Sequence, residues 1–201
     1  MKKYIVVLVF AITFSSVAQD LRIGLTLAPT ISFNKNKHKN SDDKWETVEG
    51  SGGLGWKGGL LADYNFSGNY NFHSGILIHS RSFNADNYSG SITTVEVPVA
   101  LKLRSKEVTD NVHITGFFGG TLDFNVGARY KNEGGAEVDA LDLYNKLGMS
   151  FMAGAGAEYD LDFGSVGIGL SYHLGLTNVM KDNEFFETVP KHLSIDLVFY
   201  F

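Results

Sequence analysis

The sequence predicts an all-β fold: an eight-stranded antiparallel up-and-down transmembrane β-barrel with short periplasmic turns and long extracellular loops. Three observations predict it. Apolar and polar residues alternate with period two through eight segments, giving each strand two unlike faces. The connections alternate between short and long. Beyond the N-terminal segment no apolar run is long enough for a membrane-spanning helix, so a chain that enters a membrane must do so as a closed barrel.

The N-terminus reads as a signal peptide. Lys2 and Lys3 precede an apolar run from Tyr4 to Phe14, and the small residues Ser16 and Ala18 set a cleavage site after Ala18. The expected division is 1–18 signal peptide and 19–201 barrel domain. The absence of cysteine rules out disulfides, thiol chemistry and a bacterial lipoprotein anchor. A net charge of −5 argues against nucleic acid. With 23 Gly, 3 Pro and a high aromatic share, the composition suits strands joined by tight turns.

The first strand, "LRIGLTLAPTISF", puts Leu21, Ile23, Leu25, Leu27, Ile31 and Phe33 on one face. The second runs from about Leu54 to Phe66 and the third, less regular, from Tyr70 to Asn84. The fourth, from Ser91 to Ser105, contains "VEVPVALKLR". The fifth spans Asn111 to Asn125, the sixth Leu147 to Asp160, the seventh Ser165 to Thr177 and the eighth Lys191 to Phe201. Pro98 cannot donate to a ladder, so the fourth strand must carry a bulge or lose a bond there. Short turns fall at Ser67, at "KEVTD" and at Asp162, and long loops at 34–53, 126–146 and 178–190. Aromatic residues cluster at both sets of strand ends, as interfacial girdles would: Tyr64, Phe66, Tyr70, Phe72, Tyr159, Phe163, Phe199 and Tyr200 beside the turns, and Phe33, Trp56, Phe83, Tyr88, Phe124 and Tyr130 at the other end.

The opposite faces are charged. A soluble barrel would turn them to water, whereas a membrane barrel turns them into its lumen. The turn asymmetry favours the lumen, as do ten glycines on the polar face, which would make room there for long side chains. Asp63, His73, Lys102, Arg104, His113, Glu158, Asp160 and Arg22 fall toward the turn end. Lys57, His79, Arg81, Glu96, Asp123, His173 and His192 fall toward the loop end. Buried charges must pair. A plugged lumen network is therefore expected, with Arg22, Arg81, Glu96, Lys102, Arg104, Glu158 and Asp196 as its members and Glu96 paired to Arg81.

No enzyme chemistry is expected. Ser171 with His173, and His192 with Ser194 and Asp196, contain the residue types of a nucleophile and base, but they point into the lumen, away from lipid. His79, His173 and His192 are dispersed without zinc-ligand spacing, and Asp42, Asp43, Glu46 and Glu49 lack the order of a calcium loop, so no catalytic, metal or cofactor site is assigned. Lys35, Lys37 and Lys39 form a basic surface run that anionic lipopolysaccharide could contact, or a plain solvated loop. "EVDALDLYNKL" could form a short helix over the barrel mouth.

"VEVPVALKLR", through Val95, Glu96, Val97, Pro98 and Lys102, resembles a strand of the PorT-like outer-membrane β-barrels of Bacteroidota, which are eight-stranded in the OmpA/OmpX manner. The closing "HLSIDLVFYF" is similar too: Ile195, Leu197, Phe199 and Phe201 look like the C-terminal signal read by the barrel assembly machinery. The resemblance implies the outer membrane of a Gram-negative bacterium, contact with outer-membrane lipid and lipopolysaccharide, and a structural or interaction role in the cell envelope with a link to protein secretion. It brings no catalytic residues. The alternative is a lipid- or small-ligand-handling barrel.

Overall fold

The computed structural model describes residues 20–39, 45–49, 52–85, 88–132, 137–181 and 186–201. In chain order the strands are β1 (Leu21–Lys39), β2 (Trp45–Glu49), β3 (Gly53–Ser67), β4 (Tyr70–Ala85) and β5 (Tyr88–Thr109), followed by β6 (Val112–Asn132), β7 (Val138–Asp139), β8 (Leu147–Leu161), β9 (Gly164–Gly175) and β10 (Phe186–Tyr200). The segment expected to be a signal peptide, with its cleavage site, lies outside the described residues.

Each wall strand pairs antiparallel with its neighbour in the chain. β10 returns to β1, Gly24 opposite Tyr200, so the sheet closes on itself. Eight strands make the wall, while β2 pairs only with the far part of β1 and β7 only with β6. Closure leaves the wall no free edge, as a strand structure in hydrocarbon requires. At one end the connections are two-residue turns at 68–69, 110–111 and 162–163. Gly68 and Asn111 have φ of 52° and 63°, a left-handed conformation that glycine and asparagine tolerate best. The other end carries the longer connections except between β4 and β5, which only residues 86–87 separate, because several strands run past the lengths the sequence suggested. β1 continues through "NKNKHK" and pairs its backbone with β2, Lys35 opposite Glu49, where a loop was expected. The side chains of that hairpin, the basic run and the acidic residues weighed for calcium among them, lie outside the described residues, as do those of Phe83 and Tyr88.

Alternation sets which face is apolar. Ile23, Leu25, Leu27, Ile31 and Phe33 point outward and are exposed, while Gly24, Thr26, Ala28, Thr30 and Ser32 between them are buried. From Ile23 to Phe33 the strand rises about 33 Å at about 3.3 Å per residue. A tilt of about 40° brings that to about 25 Å, the height of the apolar band on outer-membrane barrels. Tyr64, Phe66, Tyr70, Phe72, Tyr159 and Phe163 stand exposed beside the turns. Tyr200 does not join them: it turns inward and is 1% exposed, because position 200 has the parity of the lumen residues Ser194 and His192.

The lumen has three layers. Charged clusters fill its two ends. Between them lies a waist of glycines and apolar groups, Leu61, Leu77, Pro98, Phe117, Met152 and Val198 among them, around a cavity of about 60 Å³ that Lys102 and Glu158 also line from one end and Lys57 and Asp196 from the other. The glycines serve closeness more than long charged side chains. A Cβ on Gly119 would sit 2.3 Å from Val99 O, and one on Gly75 2.3 Å from Leu60 O, both on neighbouring strands. Others do make room for side chains: Gly24 faces the Tyr200 ring, Gly154 the Phe117 ring, Gly55 Thr30 and Gly167 the charged Glu158. Pro98 is fully buried in the waist. The β4–β5 ladder omits the pairs Gly75–Pro98 and Ile76–Val97 and resumes at Leu77 opposite Glu96 in unchanged register. The proline is thus accommodated by a lost bond, without a bulge.

Candidate functional site

At the turn end, Lys102 of β5 is the centre of the cluster. Its Nζ lies 2.7 Å from Asp63 Oδ2 of β3 and 2.6 Å from Glu158 Oε1 of β8, and it donates to Tyr200 Oη of β10 at 2.8 Å. β5 and β10 stand on opposite sides of the eight-strand ring, so the last contact crosses the lumen. Glu158 also accepts from Arg22 at 3.0 Å and from Arg104 at 2.9 Å, and Arg104 reaches Asp160 at 2.6 Å. His73 Nδ1 lies 2.5 Å from Asp63 and its ring stacks on Phe117. Arg22 Cζ lies 4.4 Å and Lys102 Nζ 4.5 Å from the centre of the Tyr200 ring, two cation–π contacts on one aromatic. Six of the seven residues expected in the network, Arg22, Glu96, Lys102, Arg104, Glu158 and Asp196, lie within ion-pair distance of a buried or half-buried partner; Arg81 is the exception among the described residues.

The loop end is arranged differently from the expectation. Glu96 does not pair with Arg81. Its Oε1 lies 2.6 Å from His79 Nδ1, while Arg81 donates to Thr94 Oγ1 at 3.1 Å. The ladder explains this: Leu77 stands opposite Glu96, so His79 is two residues from that pair and Arg81 four. Asp196 approaches Lys57 Nζ at 3.5 Å. Thr94 donates to Asn125, and Asn125 donates to Asn145 O at 2.7 Å, which ties the connection 137–146 to the mouth of the lumen. Within the stretch expected to form a short helix, that connection holds a 3-10 turn, Leu141–Leu143, and Asn145 binds the carbonyls of Asn178 and Met180.

The Ser–His pairs do not assemble into a nucleophile and base. Ser171 Oγ contacts Ser194 Oγ at 2.8 Å, Ser194 accepts from Lys57, and Asp196 faces Lys57 rather than a histidine. The three histidines judged dispersed do converge. His192 and His173 face each other across the β9–β10 ladder with rings stacked at 4.1 Å, and His79 meets His192 at 4.4 Å. No chain spacing marks this, because the histidines come from three strands and a long connection separates β9 from β10.

The outward-facing apolar band and polar interior have a counterpart among known proteins. Residues 17–181 match the model of the family described as outer membrane protein beta-barrel domain. The chain belongs to that family. It is therefore an outer-membrane β-barrel, and the outer membrane is its location. The crystal structure of Neisserial surface protein A, 12% identical, aligns over 88% of this chain and 97% of its own with a TM-score of 0.50, a shared fold. The attachment invasion locus protein Ail of Yersinia pestis is 12% identical over 89% of this chain and 99% of its own, with a TM-score of 0.44. OprG from Pseudomonas aeruginosa is 9% identical over 90% and 96%, with a TM-score of 0.46. No curated protein sequence matches the chain.

Proposed function

We propose that this outer-membrane barrel is closed to solutes and acts through its surfaces, as a structural or interaction protein of the cell envelope rather than as a pore or an enzyme. The observation that carries this reading is the lumen itself. Lys102 and Tyr200 meet across it at the turn end, and Lys57, His173 and Asp196 fill it at the loop end. A cavity of about 60 Å³ between them has room for a few waters and none for a hydrated solute path. Purified protein in planar lipid bilayers is expected to show no stable conductance; reproducible single-channel steps would overturn the reading.

The same proposal takes 1–18 as the signal peptide and Ile195, Leu197, Phe199 and Phe201 as the C-terminal signal for the barrel assembly machinery. Leu193, Ile195 and Leu197 are exposed on the lipid face of β10, which supports such a role. The fourth-strand motif, at Val95 to Lys102, is what supports a PorT-like relationship, with envelope or secretion proteins as partners. Lipopolysaccharide and outer-membrane lipid are the surroundings proposed for the exposed band.

A further inference from the structure

His79 on β4, Glu96 on β5 and His192 on β10 each offer one ligand atom, and these three atoms lie within 4.8 Å of one another. All three residues are buried, at 0%, 2% and 4% exposure. Two of their polar atoms, Glu96 Oε2 and His192 Nε2, have no hydrogen-bond partner among the described residues, and neither has His173 Nδ1 beside them. Buried polar atoms are nearly always satisfied, so several orphans in one small volume call for an occupant.

We propose that this cluster binds one divalent transition-metal ion of the zinc class. His79 Nδ1, Glu96 and His192 Nε2 are the ligands, and a water takes the fourth position, because His173 turns its Nε2 to the Lys57 ammonium. Two imidazoles and a carboxylate are a donor set that zinc takes readily. Bonds of about 2.0–2.1 Å place tetrahedral ligands about 3.4 Å apart, so side-chain rotations must open the 2.6 Å His79–Glu96 contact and draw in ligand atoms that now lie up to 4.8 Å apart, with the strands in place. His79 Nε2 lies 3.1 Å from Thr30 Oγ1. That contact accepts the ring proton when Nδ1 ligates, as outer-shell partners of metal-bound histidines do. The neighbouring charges permit a dication: Lys57 and Arg81 stand against Glu96, Asp123 and Asp196, two positive against three negative. The metal would tie β4 and β5 to β10 across the lumen, which goes beyond the closed-barrel reading.

The test uses the full barrel folded in detergent, stripped with chelator and titrated calorimetrically with Zn²⁺, with Co²⁺ absorption reporting coordination. One Zn²⁺ per chain is expected. His192→Gln should weaken binding by about 100-fold or more, and Thr30→Val by about 10- to 100-fold. His113→Gln, at the turn end, should change nothing. Imidazole nitrogen shifts in the unmodified protein identify the ligating rings, whether or not a variant folds. The proposal is overturned by the absence of stoichiometric binding, by metal-induced shifts confined to His38, His73 or His113, or by unchanged affinity in folded His192→Gln. A barrel that conducts yet binds Zn²⁺ refutes only the closed lumen; a closed barrel that binds none refutes only this site.

Discussion

Replacing Lys102 with Met removes the cation at the centre of the turn-end cluster while keeping most of its volume. Lys102 is 5% exposed, and its ammonium is the partner of Asp63 at 2.7 Å and of Glu158 at 2.6 Å. Removing one partner of a buried pair costs about 3–5 kcal/mol, because the other charge is left uncompensated. Here the loss is cushioned: Asp63 keeps His73 at 2.5 Å, and Glu158 keeps Arg22 at 3.0 Å and Arg104 at 2.9 Å. The low end, about 3 kcal/mol, is therefore expected, about 150-fold in the unfolding equilibrium at about 1.4 kcal/mol per decade. Urea unfolding in lipid vesicles, followed by tryptophan fluorescence and heat-modifiable gel mobility, measures it. The double variant Lys102→Met with Asp63→Asn should recover part of the loss, since it strands less charge. A single-variant cost below about 1 kcal/mol would mean that water reaches the cluster, and the reasoning for a closed lumen would fall with it.

Three further outcomes follow from other parts of the barrel. Gly119→Ala puts a Cβ 2.5 Å from Ala100 Cα, a backbone neighbour that cannot swing aside, and should cost about 1–3 kcal/mol in the same unfolding assay. Leu170→Arg, at the middle of β9 and 56% exposed, should cost about 2–4 kcal/mol in vesicles, whereas Val108→Arg near a turn should change stability by less than about 0.5 kcal/mol; equal costs would put the apolar band elsewhere. Phe201→Ala should reduce the amount of barrel assembled in cells while purified protein folds into detergent at its usual rate, and unchanged cellular yield would dismiss the C-terminal signal.

Much of the architecture was legible because strand periodicity is strict. Where the side chains of β1 and β10 are described, parity alone says whether a residue faces lipid or lumen, and the short polar turns at Gly68, Asp110 and Asp162 mark where strands reverse. The same rule misled only where a residue's type was weighed above its position. Tyr200 reads as a girdle aromatic by its place beside a turn, yet its parity sends it inward to meet Lys102. The long connections were less legible. β1 and β2 extend as a hairpin from a charged stretch that has no apolar alternation, since outside the membrane backbone pairing alone can hold a strand.

Periodicity does not say which lumen side chains touch. The sequence by itself determined the barrel, its inward set of charged residues, and their separation into turn-end and loop-end groups, because these depend only on counting along each strand. The partners were decided by the tertiary structure. Register put His79 rather than Arg81 against Glu96. Closure of β10 onto β1 brought His192 to His79, and the β5–β6 register set Gly119 opposite Ala100. His192 and His79 stand on strands far apart in the chain, and only the closed ring, with one stagger for all its strands, fixes their relative heights.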